Sequence, residues 1–351
     1  MFGKDARRFA GQISGQVEKL VGDHLSKKDG NRSKTETPTE QLGLVGGKRK
    51  ALFVGINYFG QKGELRGCLN DVKNIKEFLE ANYPLDEVMV LTDDQTDDPD
   101  GMPTRANILR GFQWLRQGAT SGDSLILHYS GHGGSIKDED GDEEDGMDET
   151  LCPVDYASAG MIVDDEVHAV LVKGLPKGVR LTAIMDCCHS ESMLDLPFIY
   201  NVNGDLEIVE STKAKGIAKM VATGVRYALD GNKKALMSNL QTGFSSLMNK
   251  GGGSGDKNEA ARKKTMETRS TEADVISFSG CKDSQTSADA TIGGEATGAM
   301  TYALIKTLKG THVMEYTDLL RTMRQTLDGK YTQVPMMSAG RRLNLSSQFS
   351  F

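Results

Sequence analysis

Two stretches decide the fold: DSLILHYSGHGG, residues 123–134, and LTAIMDCCHSES, residues 181–192. Each opens on an apolar run and ends abruptly in small, polar, tightly turning residues. Leu125–Leu127 and Leu181–Met185 do not alternate with polar residues, as a strand buried on both faces requires. Three further runs read the same way: ALFVGIN (51–57), the short VMVL (88–91) and VISFSG (275–280). Helical periodicity lies between them. Cys68–Ala81 puts Leu69, Val72, Ile75, Phe78 and Leu79 on one face, and Thr104 is placed to cap a helix through Leu115. Two more helices are expected near Gly298–Leu308 and Tyr316–Leu327. Strands alternating with helices predict an α/β fold, a mainly parallel central sheet with helices on both faces.

Outside this pattern the chain changes character. Residues 1–49 read as a lead-in: an amphipathic helix over Lys4–Leu25 (Phe9, Ile13, Val17, Leu20 and His24 recurring), then the polar linker SKKDGNRSKTETPTEQ. Residues 50–351 form one domain, whose strands lapse over 210–272, where GGGSGDKNEAARKKTMETRSTE reads as a flexible basic loop. A hydrophobic content of 38% with 26% charged residues is that of a soluble globular chain. No run approaches the roughly 18–20 apolar residues that span a bilayer. The start lacks a secretion signal, and Phe2 stands where myristoylation needs glycine. A net charge of −7 argues against nucleic-acid partners. Five cysteines (68, 152, 187, 188, 281) are an odd set without a disulfide framework. A reducing compartment, the cytoplasm, is expected, with endosomal and nuclear pools left open.

Ligands of open parallel sheets bind beyond the carboxyl ends of the strands, where both stretches terminate. A His132 and a Cys188 at two such ends can converge, although 56 positions (188 − 132) separate them. That pair suits nucleophilic catalysis: the thiolate attacks, and the imidazole removes the thiol proton and later protonates the leaving amine. Gly133 and Gly134 leave backbone N–H groups open to an oxyanion. The bland alternatives are a core cysteine and a hydrogen-bonded histidine. Zinc bound by Cys187, Cys188, His189 and His132 has poor spacing, and a disulfide between neighbouring cysteines is strained. LVGGKRK lacks the first glycine and the final Ser or Thr of a phosphate-binding loop.

HYSGHG with a downstream DxCHS resembles the caspase-like clan, and the type I metacaspases of the short kinetoplastid kind in particular. The likeness runs from about Lys50 to Asp195 and, more weakly, through Val275–Tyr302. It implies a caspase-like fold with a large-subunit-like part (50–209), a loop (210–272) and a small-subunit-like part (273–351). It implies a cysteine endopeptidase in which His132 and Cys188 are catalytic and the Gly133 and Cys188 positions form the oxyanion site. It further implies cleavage of peptide or protein substrates after Lys or Arg, by a pocket of Asp71 and Asp186 walled by Cys68 and Ser130. Paired carboxylates suit a guanidinium or ammonium. Calcium is the implied cofactor, held by Asp148, Asp164, Asp165 and Asp195, since it needs about 6 to 8 oxygens. A monomeric zymogen that cleaves itself is also implied.

Each assignment has a structural competitor. Asp71 can orient its own helix, Asp186 can brace a strand end, and Asp164 and Asp165 can cap the helix of EVHAVLVKG. The acidic run DEDGDEEDGMDE (138–149) is not an EF-hand, because Glu143 stands where glycine is required. Residues 138–145 read as a solvated loop. One departure from the family pattern is Glu191 in place of the glycine after HS. A carboxylate there opposes thiolate formation, which predicts weaker activity or an altered calcium response. The alternative function is therefore a catalytically weak or silent scaffold that binds protein partners. Self-cleavage is expected at Lys48, Arg49 and Lys50 and at Arg262, Lys263 and Lys264, with residues 1–49 covering the groove beforehand.

Overall fold

The apolar runs become the middle of a single sheet. A computed structural model describes residues 42–137, 147–187, 193–202, 206–210, 269–281, 291–292, 295–310, 313–327 and 334–351. In chain order, β1 (Arg49–Gly55), α1 (Cys68–Asn82), β2 (Glu87–Thr92), α2 (Arg105–Arg116) and β3 (Ser124–Ser130) come first. Next are β4 (Gly133–Lys137), β5 (Met147–Leu151), α3 (Tyr156–Ala159), β6 (Ile162–Val163) and α4 (Asp164–Val167), which continues as a π-helical turn over His168–Val172. After β7 (Arg180–Asp186) follow β8 (Phe198–Val202), β9 (Leu206–Glu210), β10 (Asp274–Cys281), β11 (Thr291–Ile292) and β12 (Glu295–Ala296). The helices α5 (Ala299–Gly310) and α6 (Tyr316–Leu327) precede the last strand, β13 (Val334–Ala339). The lead-in helix expected over Lys4–Leu25 lies outside the described residues.

Eight strands form the main sheet in the order β2-β1-β3-β7-β10-β13-β8-β9. The pairs from β2 through β10 are parallel, and β13, β8 and β9 extend the sheet antiparallel. Successive strand residues alternate between two buried layers, as the twofold repeat of a strand demands. Leu52, Val54, Leu125, Leu127, Leu181 and Met185 pack with Ile108, Phe112 and Leu115 of α2. Ala51, Phe53, Ile126, Ile184, Ile276 and Phe278 pack on the opposite face with α1, α5 and α6. Both faces are covered, which is why the middles of these strands are largely apolar. Among the described residues no helix is long and apolar enough to cross a membrane.

Thr104 accepts a hydrogen bond from Asn107 N–H at the start of α2, as its placement predicts. The antiparallel additions were not anticipated. In β13, Pro335 breaks the strand pattern, yet it sits opposite Gly280 of β10 and precedes the residues that pair with β8. Its missing N–H therefore falls where β13 has a single neighbour. A second correction concerns Lys48, Arg49 and Lys50, expected in flexible sequence. Lys48 N–H donates to the Asp123 carboxylate at 2.8 Å, and Arg49 and Lys50 open β1, which is paired on both sides by β2 and β3. Lys50 is buried, its ammonium on the Trp114 carbonyl at 2.7 Å. The Arg49–Lys50 backbone is already paired within the sheet and is not free to enter a protease groove.

Candidate active site

His132 stands two residues beyond β3, and its surroundings hold its backbone N–H, its carbonyl and its Nε2. Gly131 makes the turn: a Cβ there would lie 3.0 Å from the Tyr129 hydroxyl and 3.1 Å from that of Tyr58. The His132 N–H donates to Tyr58 Oη at 2.9 Å, and its carbonyl accepts from Tyr129 Oη at 2.9 Å and from Cys152 N–H at 3.2 Å. Its Nε2 lies 2.6 Å from the Gly63 carbonyl. A carbonyl can only accept, so Nε2 carries a hydrogen, and in the neutral ring the lone pair lies on Nδ1. The Tyr58 ring lies against the imidazole, with centroids 4.6 Å apart.

Tyr58 holds this arrangement under backbone strain. Its φ of 55° is left-handed, costly for a bulky side chain. The buried Asp93 carboxylate holds it there, accepting from Asn57 N–H at 2.9 Å and Tyr58 N–H at 2.6 Å. Tyr58 Oη in turn donates to the Cys152 carbonyl at 2.6 Å. Burial pushes the Tyr58 phenol well above its ordinary range, so the hydroxyl stays protonated and can donate.

β7 lies beside β3, and the parallel register ends with Ser130 opposite Asp186. These positions are two before His132 and two before Cys188, respectively. Cys187 is buried; Cys188 and Glu191 lie outside the described residues. Gly133 and Gly134 open β4, opposite Leu151 and Thr150 of β5.

A pocket next to this strand end is lined by Gly67, Cys68, Asp71, Ser130, Gly131, Asp186 and Gly298. Asp71 does not cap its own helix. Its carboxylate accepts from Ser130 Oγ at 2.7 Å, Thr297 Oγ1 at 2.5 Å and Gly298 N–H at 2.7 and 2.9 Å. Asp186 Oδ2 accepts from Thr301 N–H of α5 at 2.9 Å, while Asp186 Oδ1 is buried with no hydrogen-bond partner. Burial, and then the charge of Asp186, raises the Asp71 carboxyl to about 7.

The acidic positions assigned to a cation come from three places: Asp148 on β5, Asp164 and Asp165 at the start of α4, and Asp195 after β7. Asp164 accepts from Glu149 N–H at 3.2 Å and from Asp165 N–H at 2.9 Å, so part of its role is local. Arg269 joins the others: its guanidinium pairs with Asp165 and, through Nε at 2.6 Å, with Asp195, whose φ of 47° is itself left-handed. Arg269 belongs to the stretch read as flexible, yet its side chain is only 13% exposed. Among the described residues no three His, Cys, Asp or Glu side chains form a ready-made metal site. Sequence reading passed over Gly63, Tyr58, Thr297, Gly298 and Arg269, because nothing in their neighbourhoods distinguishes them before the chain is folded.

Comparison with known proteins adds an independent finding. A family model described as the metacaspase peptidase C14 domain matches residues 49–197. Metacaspase-1 of Ajellomyces capsulatus is 50% identical over 300 residues, 85% of this chain and 81% of its own length. Metacaspase-1 of Eremothecium gossypii is 49% identical, the match covering 86% of this chain and 66% of the relative. Metacaspase-1A of Neurospora crassa is 48% identical over 88% of this chain and 66% of its own. A Geobacter sulfurreducens protein of known crystal structure superposes with a TM-score of 0.48 at 23% identity, covering 84% of this chain and 93% of its own.

Proposed function

The chain belongs to the metacaspase family and is a cysteine peptidase, and on that premise we propose that it cleaves peptide bonds after Lys or Arg, with Cys188 as nucleophile and His132 as base. The observation that carries the specificity is the buried, unpartnered Asp186 Oδ1 facing a pocket shared with Asp71. A buried carboxylate oxygen without a donor is costly, and a substrate ammonium or guanidinium supplies the missing donor.

In this reading Nδ1 of His132 takes the Cys188 proton, because Nε2 is already bound to Gly63. The thiolate adds to the scissile carbonyl, whose oxyanion meets the backbone N–H groups of Gly133 and Cys188. The imidazolium then protonates the departing amine, leaving a thioester. Water, deprotonated by His132, hydrolyses the thioester and restores the thiol.

Calcium is the proposed activator, with Asp148, Asp164, Asp165 and Asp195 as its ligands. The fit rests on what these carboxylates do in the structure: two of them already share a buried cation, the Arg269 guanidinium. When bound, calcium supplies a divalent charge that several oxygens can surround. Arg269 must leave Asp165 and Asp195 for that to happen, so it competes with the ion. Self-processing is proposed at Arg262, Lys263 and Lys264, which lie outside the described residues.

The test is hydrolysis of an Arg or Lys peptide by the full chain at millimolar calcium, alongside Cys188→Ala. Turnover should be lost in the variant and in the presence of chelator. Equal turnover by both proteins would end the assignment of Cys188.

A further inference from the structure

We infer that Thr297 and Gly298 determine the specificity for a basic side chain, Gly298 by lining the pocket and Thr297 by positioning Asp71. This rests on the reading above that the pocket receives Lys or Arg. It adds a wall from beyond position 273, whereas Cys68, Asp71, Ser130 and Asp186 all precede position 187.

The requirement at Gly298 is space. A Cβ there would fall 2.0 Å from Asp186 Oδ2, 2.2 Å from its Cγ and 2.6 Å from Oδ1. These separations are far inside van der Waals contact. Any larger residue must displace either the Asp186 carboxylate or the first turn of α5, whose Thr301 N–H holds it. Only glycine lets the backbone approach both carboxylates at once.

The requirement at Thr297 is a donor. Two acidic side chains buried together repel each other, and Asp71 is 1% exposed and Asp186 3%. Thr297 Oγ1 and Gly298 N–H, with Ser130 Oγ, draw the Asp71 oxygens into three protein donors. Asp186 accepts from Thr301 N–H on Oδ2, and its Oδ1 remains open. The pocket is therefore asymmetric: Asp71 adds negative charge from a fixed position, and Asp186 Oδ1 receives the ligand's N–H. Thr297 donates into a carboxylate across 226 positions of chain, tying the loop before α5 to α1.

The test uses the full-length enzyme with millimolar calcium and peptides ending in Arg or in citrulline, its neutral isostere. Thr297→Val keeps the shape and removes the hydroxyl. It should raise KM for the Arg peptide about tenfold while kcat changes less than threefold, and lower the Arg-over-citrulline ratio of kcat/KM about tenfold. Thr297→Ser should restore the ratio. Gly298→Ala should lower kcat/KM for Arg at least a hundredfold, while Cys188 alkylation by iodoacetamide, read by mass spectrometry, proceeds at the wild-type rate. A Thr297→Val enzyme with the wild-type Arg-over-citrulline ratio overturns the inference alone. A wild-type enzyme that does not prefer Arg to citrulline overturns the parent reading as well.

Discussion

Replacing Arg269 by Gln should make the protein bind calcium more tightly. Glutamine keeps part of arginine's aliphatic stem and two of its five N–H donors, and removes its charge. Arg269 and Asp195 are 13% and 12% exposed, so their contact is largely shielded from water. Asp165 is 35% exposed, and its contribution is discounted for solvent screening. A shielded charge-assisted hydrogen bond contributes about 1.5–3 kcal/mol, and the screened one about 0–1 kcal/mol. The expelled guanidinium recovers part of this from water. A net barrier to calcium of about 2 kcal/mol remains, or roughly thirtyfold in Kd. Isothermal titration of the full chain with calcium reads this directly, without relying on activity. The same substitution leaves Asp165 and Asp195 without this counter-charge, so the variant should melt lower than wild type in chelator and gain more on calcium addition. Equal affinities, or weaker binding by Arg269→Gln, would refute the competition. Absence of calcium binding to either protein would instead remove the calcium assignment itself.

Two further outcomes follow from the site. With its carboxyl raised to about 7, Asp71 loses its proton between about pH 6 and 8, so the pocket gains negative charge and KM for an Arg peptide should fall over that range. The sign for stability is the reverse. A raised folded-state value contributes fully below the unfolded value near 3.8 and is lost as pH rises through about 7. Asp71→Asn should flatten the KM profile, and a flat wild-type profile would count against this charge. Tyr58→Phe removes the acceptor of His132 N–H and a donor to the Cys152 carbonyl. It should cost about 1–3 kcal/mol in denaturant unfolding and lower kcat more than it changes KM; unchanged stability and kcat would show the hydroxyl to be dispensable.

The sequence by itself determined the parallel half of the molecule. A strand buried on both faces must be largely apolar without alternation, so Leu125–Leu127 and Leu181–Met185 announce themselves without knowledge of their neighbours. The helices α1, α2 and α6 were equally legible, because a single apolar face imposes a local period. His132 and Cys188 stood out because turn-forming residues follow buried strands there, and Asp71 needed the family resemblance to be noticed at all.

Only tertiary structure decided the rest. The strands β8, β9 and β13 carry no distinctive period, and Pro335 obscures the last of them until its neighbours are known. The donors that fix Asp71 stand 59, 226 and 227 positions away, and Arg269 reaches Asp165 across 104. Hydrogen bonds and charge pairs act over a few ångströms of space. A threonine, a glycine and an arginine acquire these roles only when folding brings distant loops together.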